Sequence, residues 1–455
     1  MVLVRACMCL LVLTMMVAGK PGNGYAGDII ADVLREKGVI TKEDWIRIQA
    51  AREKEEAETQ EKLKQEFPVK VGWGKKGFTV ETLDGKWKTA LQWRFQGRWT
   101  YPERSDPRDG AAFSDNPEST FELRRVRMKI GGHGYRPWIK YYFELDLQPT
   151  RDDDDDPASS STRLLDWRIT IERFSWLQLR VGQWKINYNR ERVDSSGKQQ
   201  FVERSIVNRL FTIDRQMGAM IYGHLFPGTM VDSWYFAGVF TGEGRAVSND
   251  DDNMMWMGRF QWNFLGRDLK FSQSDVEYHE QPAASIAGGV YTTIGKCTRW
   301  SSSGCGNLSG FTSPSAASDG QFRVDGIVEE AAFKWRGFSF QHEFHWKQVK
   351  DSRIAEGAPG HRSNLFGSYT QVGYFFHDLL PVIPKPLETA FRYAFVDPNI
   401  AASGDFRQEF TGAFNWFFAG HRNKLTLDVS HLTLDQVVGN DLTEQRIRLQ
   451  WDVSF

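Results

Sequence analysis

The feature that most constrains this chain is a two-residue hydrophobic period that returns along most of its length. Trp87, Leu91, Trp93, Phe95 and Trp99 alternate with Lys88, Gln92, Arg94, Gln96 and Arg98. Ile139, Tyr141, Phe143, Leu145 and Leu147 interleave with Lys140, Glu144 and Asp146. Near the end, Ile447, Leu449, Trp451, Val453 and Phe455 interleave with Arg446, Arg448, Gln450 and Asp452. Period two means a β-strand with one apolar and one polar face. The polar face carries full charges and so meets water. The apolar face is repeatedly Trp, Tyr and Phe near strand ends, unlike the Val/Leu/Ile packing of a soluble sandwich. Aromatic girdles of this kind flank the lipid-facing band of transmembrane barrels.

Sixteen such segments are predicted, at 87–101, 119–134, 138–148, 163–173, 176–184, 214–224, 230–242, 253–264, 268–278, 322–335, 338–349, 363–377, 387–397, 405–418, 423–436 and 442–455. The gaps between them alternate. Tyr135–Pro137, Phe174–Ser175, Leu225–Thr229, Leu265–Arg267 and Arg336–Gly337 are short; 102–118, 149–162, 185–213, 243–252, 279–321 and 350–362 are long. Short turns at one end and long loops at the other mark an antiparallel barrel. Lipid satisfies no free strand edge, so the sheet must close. The predicted fold is all-β, a 16-stranded antiparallel transmembrane β-barrel with a short N-terminal periplasmic helical segment. An even strand count puts both termini at the short-turn, periplasmic end, and a hairpin at Phe78–Leu83 reads as a lead-in.

Composition removes the competing classes. The 455 residues hold 17 Trp, 13 Tyr and 32 Phe, which excludes a wholly disordered chain, and only 4 Cys, which excludes a disulfide-stapled mini-domain. Mean hydropathy is −0.48, and past the first 20 residues no apolar run reaches the length of a membrane helix. With 57 Lys+Arg against 58 Asp+Glu, a strongly basic nucleic-acid binder is not indicated.

Residues 1–26 read as an export signal: Arg5, an apolar run from Ala6 to Ala18, then Gly24 and Ala26 before the cut. Residues 27–68 form a helical leader. Ile29, Ile30, Val33 and Leu34 have helical spacing, Gly38 fits a stop, and Thr41 with Asp44 fits an N-cap. Trp45, Ile46 and Ile48 open a second, Glu/Lys-rich helix, either a solvated spacer or an oligomerising coiled coil. Residues 69–455 make the barrel. It ends on a strand at Phe455, with Trp451 and Val453 on the same face, as outer-membrane barrels commonly do.

Sixteen strands leave an aqueous channel rather than a packed core. Its predicted inner wall carries Arg94 and Arg98 on the first strand, Arg125, Arg127 and Lys129 on the second, and Arg446 and Arg448 on the last. Closure makes these three strands neighbours, so the seven cations form one basic stripe; Arg180 adds a further pore-lining cation. Rings of Arg and Lys suit anion passage. Loop 185–213 contributes Lys185, Arg190, Arg192, Lys198, Arg204 and Arg209, with Arg215 just beyond, against Glu191, Asp194, Glu203 and Asp214. Folded inward, it would narrow the pore and set its field. The bland alternative pairs these cations with Glu144, Asp146, Asp166, Glu172 and Asp452.

Several stretches resemble the phosphate-selective porin O and P family: Leu123-Arg-Arg-Val-Arg-Met-Lys-Ile-Gly131, Leu179-Arg-Val-Gly-Gln-Trp-Lys-Ile-Asn187, Phe201-Val-Glu-Arg-Ser205, Asp214-Arg-Gln-Met-Gly218 and Tyr393-Ala-Phe-Val-Asp-Pro398. Where that family usually has proline after Gly-Gln-x-Lys, this chain has Asn187. The Leu34…Gly38-Val-Ile-Thr41…Trp45 leader is similar to periplasmic leaders of such porins. The resemblance implies a trimeric, sixteen-stranded outer-membrane porin with an inward third loop. The expected surroundings are outer-membrane lipid and lipopolysaccharide, the expected cargo is small anionic solutes, phosphate or similar oxyanions, and no nucleic-acid partner is expected.

Other motifs lead nowhere. Gly72, Gly74 and Gly77 match G-x-G-x-x-G but precede a strand-like Phe78–Glu81. His342 and His345 flank Glu343 on a strand, where they point to opposite faces. Cys297 and Cys305, in the longest loop of an exported chain, are expected to form a disulfide. Asp152–Asp156 and Asp250–Asp252 read as solvated outer-loop acids, with divalent-ion or lipopolysaccharide bridging as the sharper option. No metal, cofactor or catalytic set is predicted. A passive anion-leaning channel is the leading reading. A barrel scaffold for a periplasmic partner such as a cytochrome, and a barrel hydrolase, are the alternatives.

Overall fold

Sixteen strands close into one antiparallel barrel in the computed structural model, which describes residues 26–66, 68–74, 77–102, 119–147, 162–249, 251–302 and 304–455. They are β1 Lys88–Tyr101, β2 Thr120–Gly134, β3 Arg136–Asp146, β4 Arg163–Ile171, β5 Gln178–Lys185, β6 Arg215–Leu225, β7 Ser233–Phe240 and β8 Met255–Trp262. The second half is β9 Ala283–Gly295, β10 Phe322–Trp335, β11 Phe338–Asp351, β12 Arg362–Tyr374, β13 Leu387–Asp397, β14 Arg407–Phe417, β15 Asn423–Leu434 and β16 Leu442–Ser454. Each pairs with the next, and β16 returns to β1 with Arg448 opposite Thr100 and Gln450 opposite Arg98. No edge is left for lipid to meet. The export-signal residues other than Ala26, together with Asp152–Asp156 and Asp250, lie outside the described residues.

The alternation sorts side chains as the pleat requires. On β14, Arg407, Glu409, Thr411 and Asn415 are buried inward, while Phe410 and Phe414 are exposed on the outer surface. Tryptophans gather near the short-turn ends, at Trp262, Trp335 and Trp416, where an amphipathic ring suits the membrane–water interface. No helix among the described residues is long and apolar enough to cross a membrane; the crossing is by strands.

The ninth strand corrects the sequence reading. Residues 268–278, predicted as a strand, are irregular, and the strand is Ala283–Gly295 instead. The gap after β8, predicted as the short turn Leu265–Arg267, is therefore an insertion over 263–282 at the short-turn end. The reason is local. Residues 268–278 alternate polar and apolar, but they bury Leu269, Gln273, Ser274 and Asp275 against the barrel contents. Ala283–Gly295 is built of small residues because a neighbouring segment presses on its inner face. A Cβ on Gly289 would sit 2.9 Å from the Tyr188 carbonyl oxygen.

A lead-in hairpin, Val69–Gly74 and Gly77–Thr82, precedes the barrel; its second strand pairs Phe78–Glu81 with Lys88–Leu91. It thus occupies the stretch of the β1 edge that β16 does not reach. In the loop after β9, Arg299–Ser301 and Gly304–Gly306 form a short ribbon closed by a Cys297–Cys305 disulfide. The described residues up to Val69 form a separate unit. Within it, α1 (Ala26–Glu36) ends before Gly38 in the left-handed conformation at φ 69°, as a helix stop requires. α2 (Lys42–Glu66) starts with a capping box. The Asp44 N–H donates to Thr41 Oγ1 at 3.1 Å, and the Thr41 N–H donates to Asp44 Oδ2 at 3.2 Å.

Candidate functional site

The barrel interior is organised by the long segment between β5 and β6, residues 186–214, which lies among the inward-facing side chains. Two short helices, α3 (Arg190–Val193) and α4 (Ile206–Phe211), sit within it. Helix starts leave N–H groups unpaired, and wall carboxylates receive them. The Arg190 N–H donates to Glu330 on β10 at 3.0 Å, and the Glu191 N–H donates to Glu343 on β11 at 2.6 Å. The Ile206 N–H donates to Glu409 on β14 at 3.0 Å. At the other end of α4, Lys347 Nζ donates to the Leu210 carbonyl at 2.8 Å.

Between the helices the chain is pinned residue by residue. Gln200 bonds Ser339, Gln371, Glu388 and Asn415 of the wall, each at 2.8 Å. The Val202 N–H donates to Asp428 at 2.9 Å. The insertion 263–282 closes on the loop from the short-turn end. The Gln200 N–H donates to Gln273 at 2.7 Å, and the Arg190 guanidinium donates to the carbonyls of Lys270 and Leu269 at 2.8 and 3.3 Å.

The loop's own acids divide by environment. Burial pushes the carboxyls of Glu191 and Asp194 above their ordinary range. Burial also works against Asp214, but Arg192 and Arg215 hold it down at about 2. Glu203 is likewise held well below the usual range, against burial, by Arg125, Arg98 and Arg124. Burial lowers the Arg204 guanidinium to about 10.

Opposite this anchored face lies a small, partly open cavity of about 30 Å³. Arg124, Arg125 and Arg127 of β2 line it, with Lys185 and Arg215 from the strands flanking the loop and Arg192 and Arg204 from the loop itself. Among the described residues, Asp146 is its one acidic lining residue. The consecutive Arg124 and Arg125 both reach the interior because of a β-bulge. Arg125 stands opposite Gln96 and Leu123 opposite Gly97, so Arg124 has no partner across the pair. An extra residue of this kind re-aims a side chain that alternation would have sent outward. Both guanidiniums then approach Glu203, with Arg124 Nε at 3.4 Å and Arg125 Nη2 at 3.4 Å. Arg98 Nη2 completes the contact at 2.7 Å.

The predicted residues fall into three groups. Arg125, Arg127, Lys185, Arg192 and Arg204 meet at the cavity. Within it, Arg127 is paired with Glu144 at 2.8 Å and Arg192 with Asp214. Arg98 and Arg94 lie beside the loop, Arg94 donating to Ser195 Oγ at 2.8 Å. Lys129 faces inward opposite Gln92 and Glu144, and Lys198 is exposed. The remainder stand elsewhere. Arg448 is held by both oxygens of Asp428 at 2.8 Å, so the expected seven-cation stripe is broken on β16, where Arg446 lies opposite Ser430. Arg180 bonds Tyr222 at 3.0 Å and Asn187 at 3.4 Å. Arg190 is buried against the short-turn insertion, and Arg209 lies within α4.

Sequence reasoning missed Arg124 and the seat that Glu203 fills. A signal was present. Leu123 and Val126 are both apolar yet three apart, which strict alternation forbids and a bulge allows. The wall also carries acids that the sequence does not single out: Glu330, Glu343, Glu388, Glu409 and Asp428 are buried on its inner face.

A closed sixteen-strand barrel with an inward loop is the architecture of outer-membrane porins. The model of the family Phosphate-selective porin O and P matches residues 104–455, and the chain belongs to that family. It is thus a porin of the bacterial outer membrane. Among solved structures, the outer membrane channel DcaP of Acinetobacter baumannii is similar at 13% identity and a TM-score of 0.50, covering 81% of this chain and 97% of that one. OmpT of Vibrio cholerae in its trimer form is similar at 8% identity and a TM-score of 0.50, covering 81% and 99%. At these identities the likeness is one of fold. No curated protein matches the chain closely enough to count as a relative.

Proposed function

We propose that this porin is an anion-preferring diffusion channel for small solutes, phosphate or similar oxyanions among them, and that it works as a homotrimer in lipid and lipopolysaccharide. The observation that carries the anion preference is the cavity lining beside the inward loop: among the described residues it holds seven cations and one acid, and Arg124, Arg125, Lys185, Arg192 and Arg204 are only half-buried. In a low-dielectric wall such an excess concentrates anions and repels cations. Guanidinium forks also match the oxygens of phosphate-like solutes. The dry face of the loop leaves the β1–β5 side as the wet route. The trimer form of the OmpT neighbour supports the oligomer. We assign residues 1–26 to a cleaved export signal and 27–68 to a periplasmic leader on the pattern of charge, apolar run and small residues described above.

Reversal potentials in planar bilayers under a salt gradient test the preference. An anion-leaning potential is expected; a cation-leaning one overturns it. Analytical ultracentrifugation in detergent tests the trimer, and a monomer at micromolar concentration would contradict it.

A further inference from the structure

Among the acids of the inward loop, Glu203 differs in its partners. Glu191 accepts from the Ser205 N–H and hydroxyl at 2.8 and 2.9 Å, and Asp214 is paired with Arg192. The Glu203 carboxylate instead sits where three guanidiniums converge, and its side chain keeps 27% of its surface exposed. The three cations come from different positions, Arg98 on β1 and Arg124 and Arg125 on the β2 bulge. Arg98 is fixed further by Gln450 Oε1, at 3.0 and 2.8 Å. Arg124 and Arg125 are also two of the residues lining the partly open cavity. The same pair of guanidiniums therefore serves a protein carboxylate on one side and water on the other.

We propose that Glu203 is a resident counter-anion: it fills an oxyanion seat made by Arg98, Arg124 and Arg125, and a permeating oxyanion binds by taking Arg124 and Arg125 from it. This rests on the anion-channel reading above and deepens it. The exchange strands no guanidinium, because one oxyanion replaces another on the same donors, so it avoids the large penalty of an unpaired buried charge. Arg98 keeps its bond to Glu203 at 2.7 Å and holds the displaced carboxylate. The seat favours solutes with two or more oxygens on one centre, such as phosphates and carboxylates, because these meet forked donors bidentately; a halide offers a single centre. Glu203 remains ionised through the neutral range, since Arg125, Arg98 and Arg124 hold its carboxyl low against burial. The competition is therefore always present.

The test titrates chloride conductance of the full porin in planar bilayers with inorganic phosphate, and separately with acetate, at neutral pH. Glu203→Gln keeps the side-chain shape and removes the competing charge. Its half-blocking phosphate concentration is expected to fall by about tenfold or more, the size of one charge-assisted hydrogen bond. Glu203→Asp keeps the charge but shortens the reach, and is expected to lower it by a smaller factor; it decides the matter if Glu203→Gln does not assemble. Unchanged half-blocking concentrations, in a wild-type channel that is anion-selective, overturn the resident-anion proposal. A wild-type channel that is cation-selective overturns the anion-channel reading itself.

Discussion

The two sides of the barrel interior use the same kinds of charged residue to opposite ends. On the β8–β15 side, carboxylates and guanidiniums are buried against the loop and satisfied pairwise: Arg392 with Glu409, Arg259 with Glu330 at 2.6 Å. On the β1–β5 side, cations outnumber acids among the described residues that line the cavity, and several of them are only half-buried. The first side is an adhesive for the loop, and the second is the proposed solute route. A net charge of −1 over the whole chain does not show this, because many of the acids are buried on the inner wall against the loop. The segregation runs across the barrel rather than between outer loops and inner wall.

The largest expected effect comes from breaking the adhesive. Glu409→Ala leaves Arg392 without its main partner and removes the acceptor for the Ile206 N–H. Removing one member of a buried pair costs about 3–5 kcal/mol. The loop should loosen, single-channel conductance should rise, and limited trypsin digestion should cut at Lys198 or Arg204 faster than in the wild type. An unaltered digestion pattern and conductance would mean that the buried pairs do not hold the loop.

Next in size is Asp214, which ties the loop's end to the wet side. Its folded-state carboxyl lies near 2, below its ordinary value of 3.8. A depressed carboxyl stabilises the fold above its unfolded value and loses that contribution as pH falls through the folded one. Asp214→Asn should therefore cost about 2 kcal/mol near neutral pH, and the difference from wild type should vanish as pH approaches 2. Thermal unfolding in detergent across that range checks the sign. A difference that grows on acidification contradicts it.

Much of this division was legible in advance and some was not, for physical reasons. Strands such as β10 and β13, with one face in lipid and one on polar groups, carried a clean period of two, and their bounds were read within a residue or two. The ninth strand was missed because its inner face meets the loop, so Ser285 and Gly289 replaced the large or charged residues that mark alternation. The cations of β2 were found because they are on a strand, and Arg124 was lost because a bulge changes parity. Which cations are neutralised depends on contacts between residues far apart in the chain, such as Arg448 with Asp428 across β16 and β15, or Glu203 with Arg98. No local pattern records those.

Third in size, Arg124→Gln with Arg125→Gln removes the two cations shared by the cavity and the Glu203 seat. The anion-over-cation permeability ratio should fall about tenfold, equivalent to 1.4 kcal/mol, with little change in thermal stability because neither belongs to the buried adhesive. Reversal potentials in a salt gradient read this directly. A ratio that holds while stability falls would place these arginines with the structural pairs and erase the distinction between the two sides.

The smallest effect probes the line where the sides meet. Gly197 lies at the turn of the loop against Arg94, and a Cβ there would fall 2.4 Å from the guanidinium carbon. Its neighbour Ser195 accepts from Arg94 at 2.8 Å. Gly197→Ala must push Arg94 aside, yet the obstructing atoms are the far end of a flexible side chain, so the cost is that of one hydrogen bond, about 1 kcal/mol. If Arg94 only steadies the loop, conductance should change less than twofold with selectivity intact. If selectivity shifts with it, Arg94 belongs to the wet route, and the wet side extends over β1 up to its seam with β16.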